Sequence, residues 1–166
     1  MHESENSHEI FMAEAIQEAL KADKLNEVPV GAVVVLDGQI IGRGFNQPIS
    51  SNDPTAHAEV MALRDAAKHV ANYRLVDADL YVTIEPCTMC SGAIVHSRIR
   101  TLIYGAAEPK AGVVQSQQSI FTEPYFNHVV SVISGVLAEE CSAVMQAFFK
   151  RRREEKKQIK REQRGE

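Results

Sequence analysis

A chain of 166 residues, 45% hydrophobic and 24% charged, has the size and make-up of one globular domain with a full core, which excludes a disordered chain and a two-domain layout. No apolar run approaches the roughly 18 residues of a membrane span, and the opening MHESENSHE lacks the basic and apolar regions of a signal peptide, so the expectation is a soluble cytoplasmic protein. The formal net charge of −4 conceals an asymmetry: residues 1–149 carry 9 basic and 18 acidic side chains, residues 150–166 carry 9 basic and 4 acidic, so any polyanion is met at the tail and a local patch, not by the whole surface.

Residues 8–24 have the spacing of an amphipathic helix, with Ser7 as its cap and Ile10, Ala13, Ile16 and Leu20 on the stripe that would cover a sheet. VPVGAVVVL and QIIGRGF are β-prone apolar runs joined by Asp37-Gly38, a dipeptide suited to a two-residue hairpin with positive φ at both positions. They predict an antiparallel pair. After the polar loop NQPISSN, Asp53 is placed to cap, and Pro54 to open, a helix over residues 55–70. DADLYVTI then predicts a third strand, PCTMCSGAIVHS a short helix, IRTLIYG a fourth strand and HVVSVIS a fifth, ahead of a long last helix. A hairpin followed by strands alternating with helices implies a three-layer α/β/α domain on a mixed five-stranded sheet. Residues 1–149 form this domain, and 150–166 continue its last helix as a basic tail. In such sheets ligands gather at the carboxyl ends of the strands.

His57 falls near the start of one predicted helix, and Cys87 and Cys90 at the start of the next, where positions i and i+3 share a face. Three ligands of the type zinc prefers can therefore converge. A tetrahedral ion held by three protein ligands keeps its fourth position for water, the arrangement of a catalytic centre and not of a closed structural one. Cysteines bind as thiolates, and a helix N-terminus favours that charge. Glu59, two residues from His57, falls beside such a metal without ligating it, placed to exchange protons with the water as general acid and base. Cys87 and Cys90 can also be read as a redox dithiol at a helix start, which leaves Glu59 without a role. Cys141 shares a stripe with Leu137, Val144 and Phe148 and reads as a core thiol. His2, His8, His69, His96 and His128 fall in no comparable cluster and read as surface or satisfied core residues. The tail KRRREEKKQIKREQR reads either as a solvated helix end whose cations suit the dipole, or as a row of cations that follows a phosphate backbone.

HAE at 57–59 and PCTMC at 86–90 match the H-x-E and P-C-x-x-C signature already defined for the zinc nucleobase deaminases. Beyond the signature, EVPVGAVVV, GRGFNQPI, DPTAHAEVMALRDA, NYRL, LYVTIEPCTMCSGAIVHSRI and GVLAEEC resemble the bacterial tRNA adenosine deaminases, of the cytidine/deoxycytidylate deaminase superfamily, along nearly the whole chain. The resemblance implies a cytidine-deaminase-like fold and one Zn²⁺ per subunit on His57, Cys87 and Cys90, with Glu59 moving protons. It implies that Asn46 contacts a flipped-out adenosine, with Glu108 and Arg152 as further substrate-binding residues, and that the partner is a tRNA anticodon stem-loop. The implied reaction turns the wobble adenosine, first of all in an arginine tRNA, into inosine. A homodimer in which the neighbouring chain helps complete each site is also implied.

This chain departs from the family in the loop GAAEPKAGVVQS, which in the family approaches the anticodon. Glu108 stands where an aspartate is expected, and Val113, Val114 and Gln115 replace smaller residues. The extra methylene can alter affinity or sequence context. Two rival readings carry their own signatures. A deaminase of free guanine or cytosine would share the metal site but have no need of a basic tail. A non-catalytic zinc-containing RNA-binding subunit would lack Glu59 or supply a fourth ligand, and this sequence does neither.

Overall fold

Both faces of one central strand are buried, and that explains the sequence's longest apolar run. In the computed structural model, which describes residues 2–166 with side chains from Glu5 onward, β1 (Gly31–Leu36) pairs with β2 (Gln39–Phe45) in the antiparallel hairpin. Asp37 and Gly38 at its tip have φ of 51° and 76°, the left-handed pair a type I′ turn requires. On its other side β1 pairs antiparallel with β3 (Asp79–Ile84); β3 runs parallel to β4 (Thr101–Ala106), and β4 parallel to β5 (Ser131–Ser134). The mixed sheet has the order β2-β1-β3-β4-β5. Helices α2 (Ala58–Val70) and α3 (Thr88–His96) pack on one face, α1 (His2–Lys24) and α4 (Ala138–Arg164) on the other, the three layers the element pattern implies. Ala32 and Val34 enter the core shared with Ala58, Ala62, Leu80, Ile94 and Leu102, while Val33 and Val35 enter the opposite one with Met12, Ala15, Tyr81, Ile103 and Cys141. Successive side chains point to opposite faces, so a strand covered on both sides needs an unbroken apolar run.

Two helix starts differ from the expectation. Helix α1 begins at His2, so Ser7 lies inside it and does not cap it. Its buried stripe is Met12, Ala15, Ala19 and Ala22, while Ile10 is 56% exposed and Ala13 also faces solvent. The reason is close approach: a Cβ on Gly31 would stand 2.0 Å from the Ala15 carbonyl oxygen, so helix and strand meet backbone to backbone through small residues. Helix α2 begins at Ala58, not at residue 55. The Asp53 carboxylate accepts the Thr55 N–H at 2.8 Å and the Thr55 hydroxyl at 2.7 Å, closing a local turn, and His57 becomes the N-cap residue instead. Cys141 is 2% exposed in the α1/α4 core, and burial pushes its thiol up to about 12.

Helix α2 is seated on β2 by a second close approach. A Cβ on Gly44 would lie 2.4 Å from both the Ala58 carbonyl oxygen and the Ala62 nitrogen. Gly44→Ala must therefore push backbone from backbone, an overpacking that costs roughly 1–3 kcal/mol. At 2–4 °C per kcal/mol for a domain of this size, the expected fall in Tm is about 2–12 °C. Thermal unfolding checks this, and an unchanged Tm would mean that α2 is free to retreat.

Candidate active site

The first residues of α2 and α3 meet beyond the ends of β3 and β4. His57 precedes α2 in extended conformation (φ −74°, ψ 154°), and its side chain makes no cap bond, so the ring is free to point away from its own helix. Cys87 precedes α3 in the same way (φ −81°, ψ 178°), and Cys90 lies one turn on, inside the helix and fully buried. His57 Nδ1 stands 3.6 Å from Cys87 Sγ and 3.5 Å from Cys90 Sγ, and the three ligand atoms all lie within 4.8 Å of one another. One nitrogen and two sulfurs at this separation form a donor set that fits zinc and leaves one tetrahedral position open.

Protons are shared among the three ligands. The Cys90 thiol donates to Cys87 and, against burial, holds Cys87 down to about 4, with His57 adding to the effect. The same bond pushes Cys90 up. His57 is raised by its bond to Cys87. Glu59, in the first turn of α2 and only 4% exposed, is raised by burial, with the Cys87 charge adding to it, while the neighbouring Cys90 and His57 pull it down. A buried carboxyl raised in this way is suited to take a proton and give it back.

His57, Glu59 and Cys87 open into a cavity of about 240 Å³ that is also lined by Val28, Val30, Asn46, Ile84, Glu85 and Glu108. Sites for drug-sized ligands run to about 300–1,000 Å³, so this volume suits one base-sized heterocycle between apolar walls. Asn46 is anchored by its own N–H, which donates to the Val30 carbonyl at 3.0 Å. Glu108 reaches the wall, and one of its carboxylate oxygens accepts the Lys110 N–H at 2.9 Å. Arg152 lies outside this cavity, in an adjoining groove of about 260 Å³ that shares Val28 and Asn46 with it and adds Ile49, Phe148, Phe149 and Lys156. Arg151 is spent on Asp23 at 2.6 Å, which leaves Arg152 and Lys156 as the groove's cations.

Val113 and Val114 do not face outward. They are 7% and 3% exposed and plug the loop into the core, while Gln115 accepts the Tyr104 hydroxyl. Their departure from smaller residues is thus a matter of packing beneath the rim. His8 is bonded to the Tyr81 hydroxyl and His128 to the Ile99 carbonyl, each at 2.7 Å; His69 and His96 are exposed, and the side chain of His2 lies outside the described ones. Sequence reasoning overlooked Glu27 and Glu85, buried carboxylates at 1% and 2% exposure. Glu27 accepts the Ile49 and Ser50 N–H groups at 3.2 and 2.8 Å and so holds the loop that follows Asn46. A carboxylate inside an apolar run, as in EVPVGA and TIEPC, was the available signal.

The family model of the cytidine and deoxycytidylate deaminase zinc-binding region matches residues 5–106. The chain is similar to the tRNA-specific adenosine deaminase of Haemophilus influenzae, 54% identical over 150 residues that cover 90% of this chain and 87% of that protein. A solved structure from studies of A-to-I editing by tRNA deaminases at the wobble position of transfer RNA matches with a TM-score of 0.79 at 47% identity, covering 81% of this chain and 97% of the other. The X-ray structure of guanine deaminase from Bacillus subtilis matches with a TM-score of 0.60 at 36% identity, over 86% and 94% of the two chains.

Proposed function

Because the chain belongs to the cytidine and deoxycytidylate deaminase zinc-binding family, and within it to the tRNA-specific adenosine deaminases, we infer that it converts the wobble adenosine of a tRNA anticodon, in an arginine tRNA first of all, to inosine. The observation that carries this reading is a base-sized cavity with a buried carboxyl beside a three-ligand metal set, opening onto an aromatic and cationic groove. His57, Cys87 and Cys90 hold the zinc. When bound, zinc supplies a water acidic enough to act as a nucleophile at neutral pH. The reaction adds water at C6 of adenine and expels ammonia, so protons must reach N1 and the leaving amine. Glu59 is the group placed to carry them. Val28, Val30 and Ile84 exclude solvent, and the Asn46 amide offers the base edge both a donor and an acceptor. Glu108 contacts the substrate at the rim.

Anticodon bases are unpaired, so one can be splayed into a cavity while its neighbours meet aromatic faces and cations outside. Phe149, 41% exposed, with Arg152 and Lys156 provides such a surface. In this reading residues 1–149 do the chemistry and 150–166 follow the phosphate backbone. Ending the chain at Lys150 removes eight cations. We expect weaker binding of an anticodon stem-loop and a plot of log affinity against log salt shallower by about 0.7 for each phosphate that the tail no longer neutralises. Binding titrations at several salt concentrations check this, and unchanged affinity would return the tail to a solvated helix end.

The same reading includes a homodimer. Between α2 and α3 lies an apolar groove of about 290 Å³ lined by Val60, Leu63, Ala67, Tyr73 and Ala93, on the helices that carry the metal ligands, and a second copy is the occupant we assign to it. Among the described residues no helix is long and apolar enough to cross a membrane, and a cytoplasmic location follows from the substrate. The deciding experiment incubates zinc-loaded protein with an arginine tRNA carrying a wobble adenosine, alongside free adenine, guanine and cytosine, and quantifies inosine and ammonia. Inosine confined to the wobble position is the expected result. Ammonia from a free base alone would leave the zinc chemistry standing and remove the RNA substrate.

A further inference from the structure

Five donors from one rim segment converge on a single buried carboxylate that takes no part in the proton transfers above. Glu85 follows the last residue of β3, and its own N–H donates to the Ala106 carbonyl at the end of β4. One carboxylate oxygen accepts the Glu108 N–H at 3.1 Å and the Ser116 hydroxyl. The other accepts the N–H groups of Val114, Gln115 and Ser116 at 3.1, 2.9 and 2.9 Å. The Val113 N–H donates to the Pro86 carbonyl at 3.1 Å, so residues 108–116 are tied to the same short segment that delivers Cys87. A loop returns its backbone donors to water or to its own carbonyls by default; this one spends four N–H groups on one distant side chain.

We propose that Glu85 is a positioning residue for substrate selection: its carboxylate presets the 108–116 loop, and with it the Glu108 side of the cavity rim, for the nucleotides flanking the reactive base. This rests on the RNA-substrate reading above. The role needs an ionised carboxylate specifically, because its two oxygens present only acceptors to a ring of donors, whereas an amide would turn an NH₂ group into that ring.

The test is Glu85→Gln in the full-length, zinc-loaded chain, read by amide hydrogen exchange and by deamination kinetics on an anticodon stem-loop. Replacing one of the two acceptor oxygens by an NH₂ donor should speed exchange at Glu108, Val114, Gln115 and Ser116 by about tenfold or more, with the amides of β1 and β3 unchanged. KM for the stem-loop should rise by about tenfold while kcat changes much less and the zinc content stays at that of the wild type. Unaltered exchange in the loop overturns the proposal, whatever the substrate. So does a parallel fall in kcat and zinc content, which would make Glu85 a mere support for Cys87. Failure of the substrate reading would show separately, as a wild-type protein that leaves the stem-loop untouched. Ser116→Ala, which removes one donor and keeps the carboxylate, guards against a Gln variant that does not fold. It should raise KM about threefold, and an unchanged KM with unchanged loop exchange counts against the proposal.

Discussion

Glu59→Gln is expected to lower kcat by about 10²–10⁴-fold, the range for a positioned acid or base, and toward its upper end because one carboxyl serves every proton transfer. Zinc content should not change, since Glu59 is not among the three converging ligands. Metal analysis beside single-turnover rates separates the two quantities, and a variant that deaminates at the wild-type rate would end the role assigned to Glu59. The pH profile gives a second reading. Glu59 acts first as a base, so the wild-type pH profile should have an acid limb where its carboxylate is protonated. The Gln variant should lose it. The sign for stability is opposite to that for activity. A group whose folded pKa is raised contributes stability below its unfolded value, and loses it as pH rises through the folded one. In metal-stripped protein at neutral pH, Glu59 is a burden that Gln removes, so the variant should melt higher than the wild type. An activity loss joined to a stability gain is the mark of a functional group kept against the preference of the fold.

What was legible in the sequence was whatever rests on short-range chemistry. Asp37-Gly38 names its hairpin because positive φ at two successive residues suits few other dipeptides, and the structure has it. HAE and PCTMC identify a metal chemistry because each residue type has one job there, and the structure brings His57, Cys87 and Cys90 together. The misses are long-range. Spacing places the face of α1 on Ile10, Ala13, Ile16 and Leu20, but close approach to Gly31 selects Ala15 and Ala19 instead, and nothing within α1 reports on a glycine in the next element. Asp53 reads as a helix cap because the sequence does not say that both Thr55 donors will go to its Oδ1. Glu85 bonds residues 23 to 31 positions away, and Phe148 and Phe149 reach the substrate groove only because α4 returns to the loop after β2. Tertiary placement turned ordinary acidic and aromatic residues into parts of a site.

Cys90→Ala is expected to remove zinc and activity together. Cys90 is one of the three converging ligands, and His57 with Cys87 alone leaves two of the four tetrahedral positions open. Zinc should fall from one equivalent per chain to near none after dialysis, with deamination below detection. Stability should follow. A ligand that binds only the folded state adds about 4 kcal/mol when present at a thousand times its Kd, and the variant forfeits that contribution. The comparison that isolates the metal is wild-type protein treated with a chelator: its Tm should drop toward that of Cys90→Ala, and only the wild type should recover when zinc is returned. A variant that keeps a full equivalent of zinc would take Cys90 out of the ligand set. A variant that loses the zinc and still deaminates would do more, because it would separate the chemistry from the metal altogether and leave Glu59 to act on ordinary water.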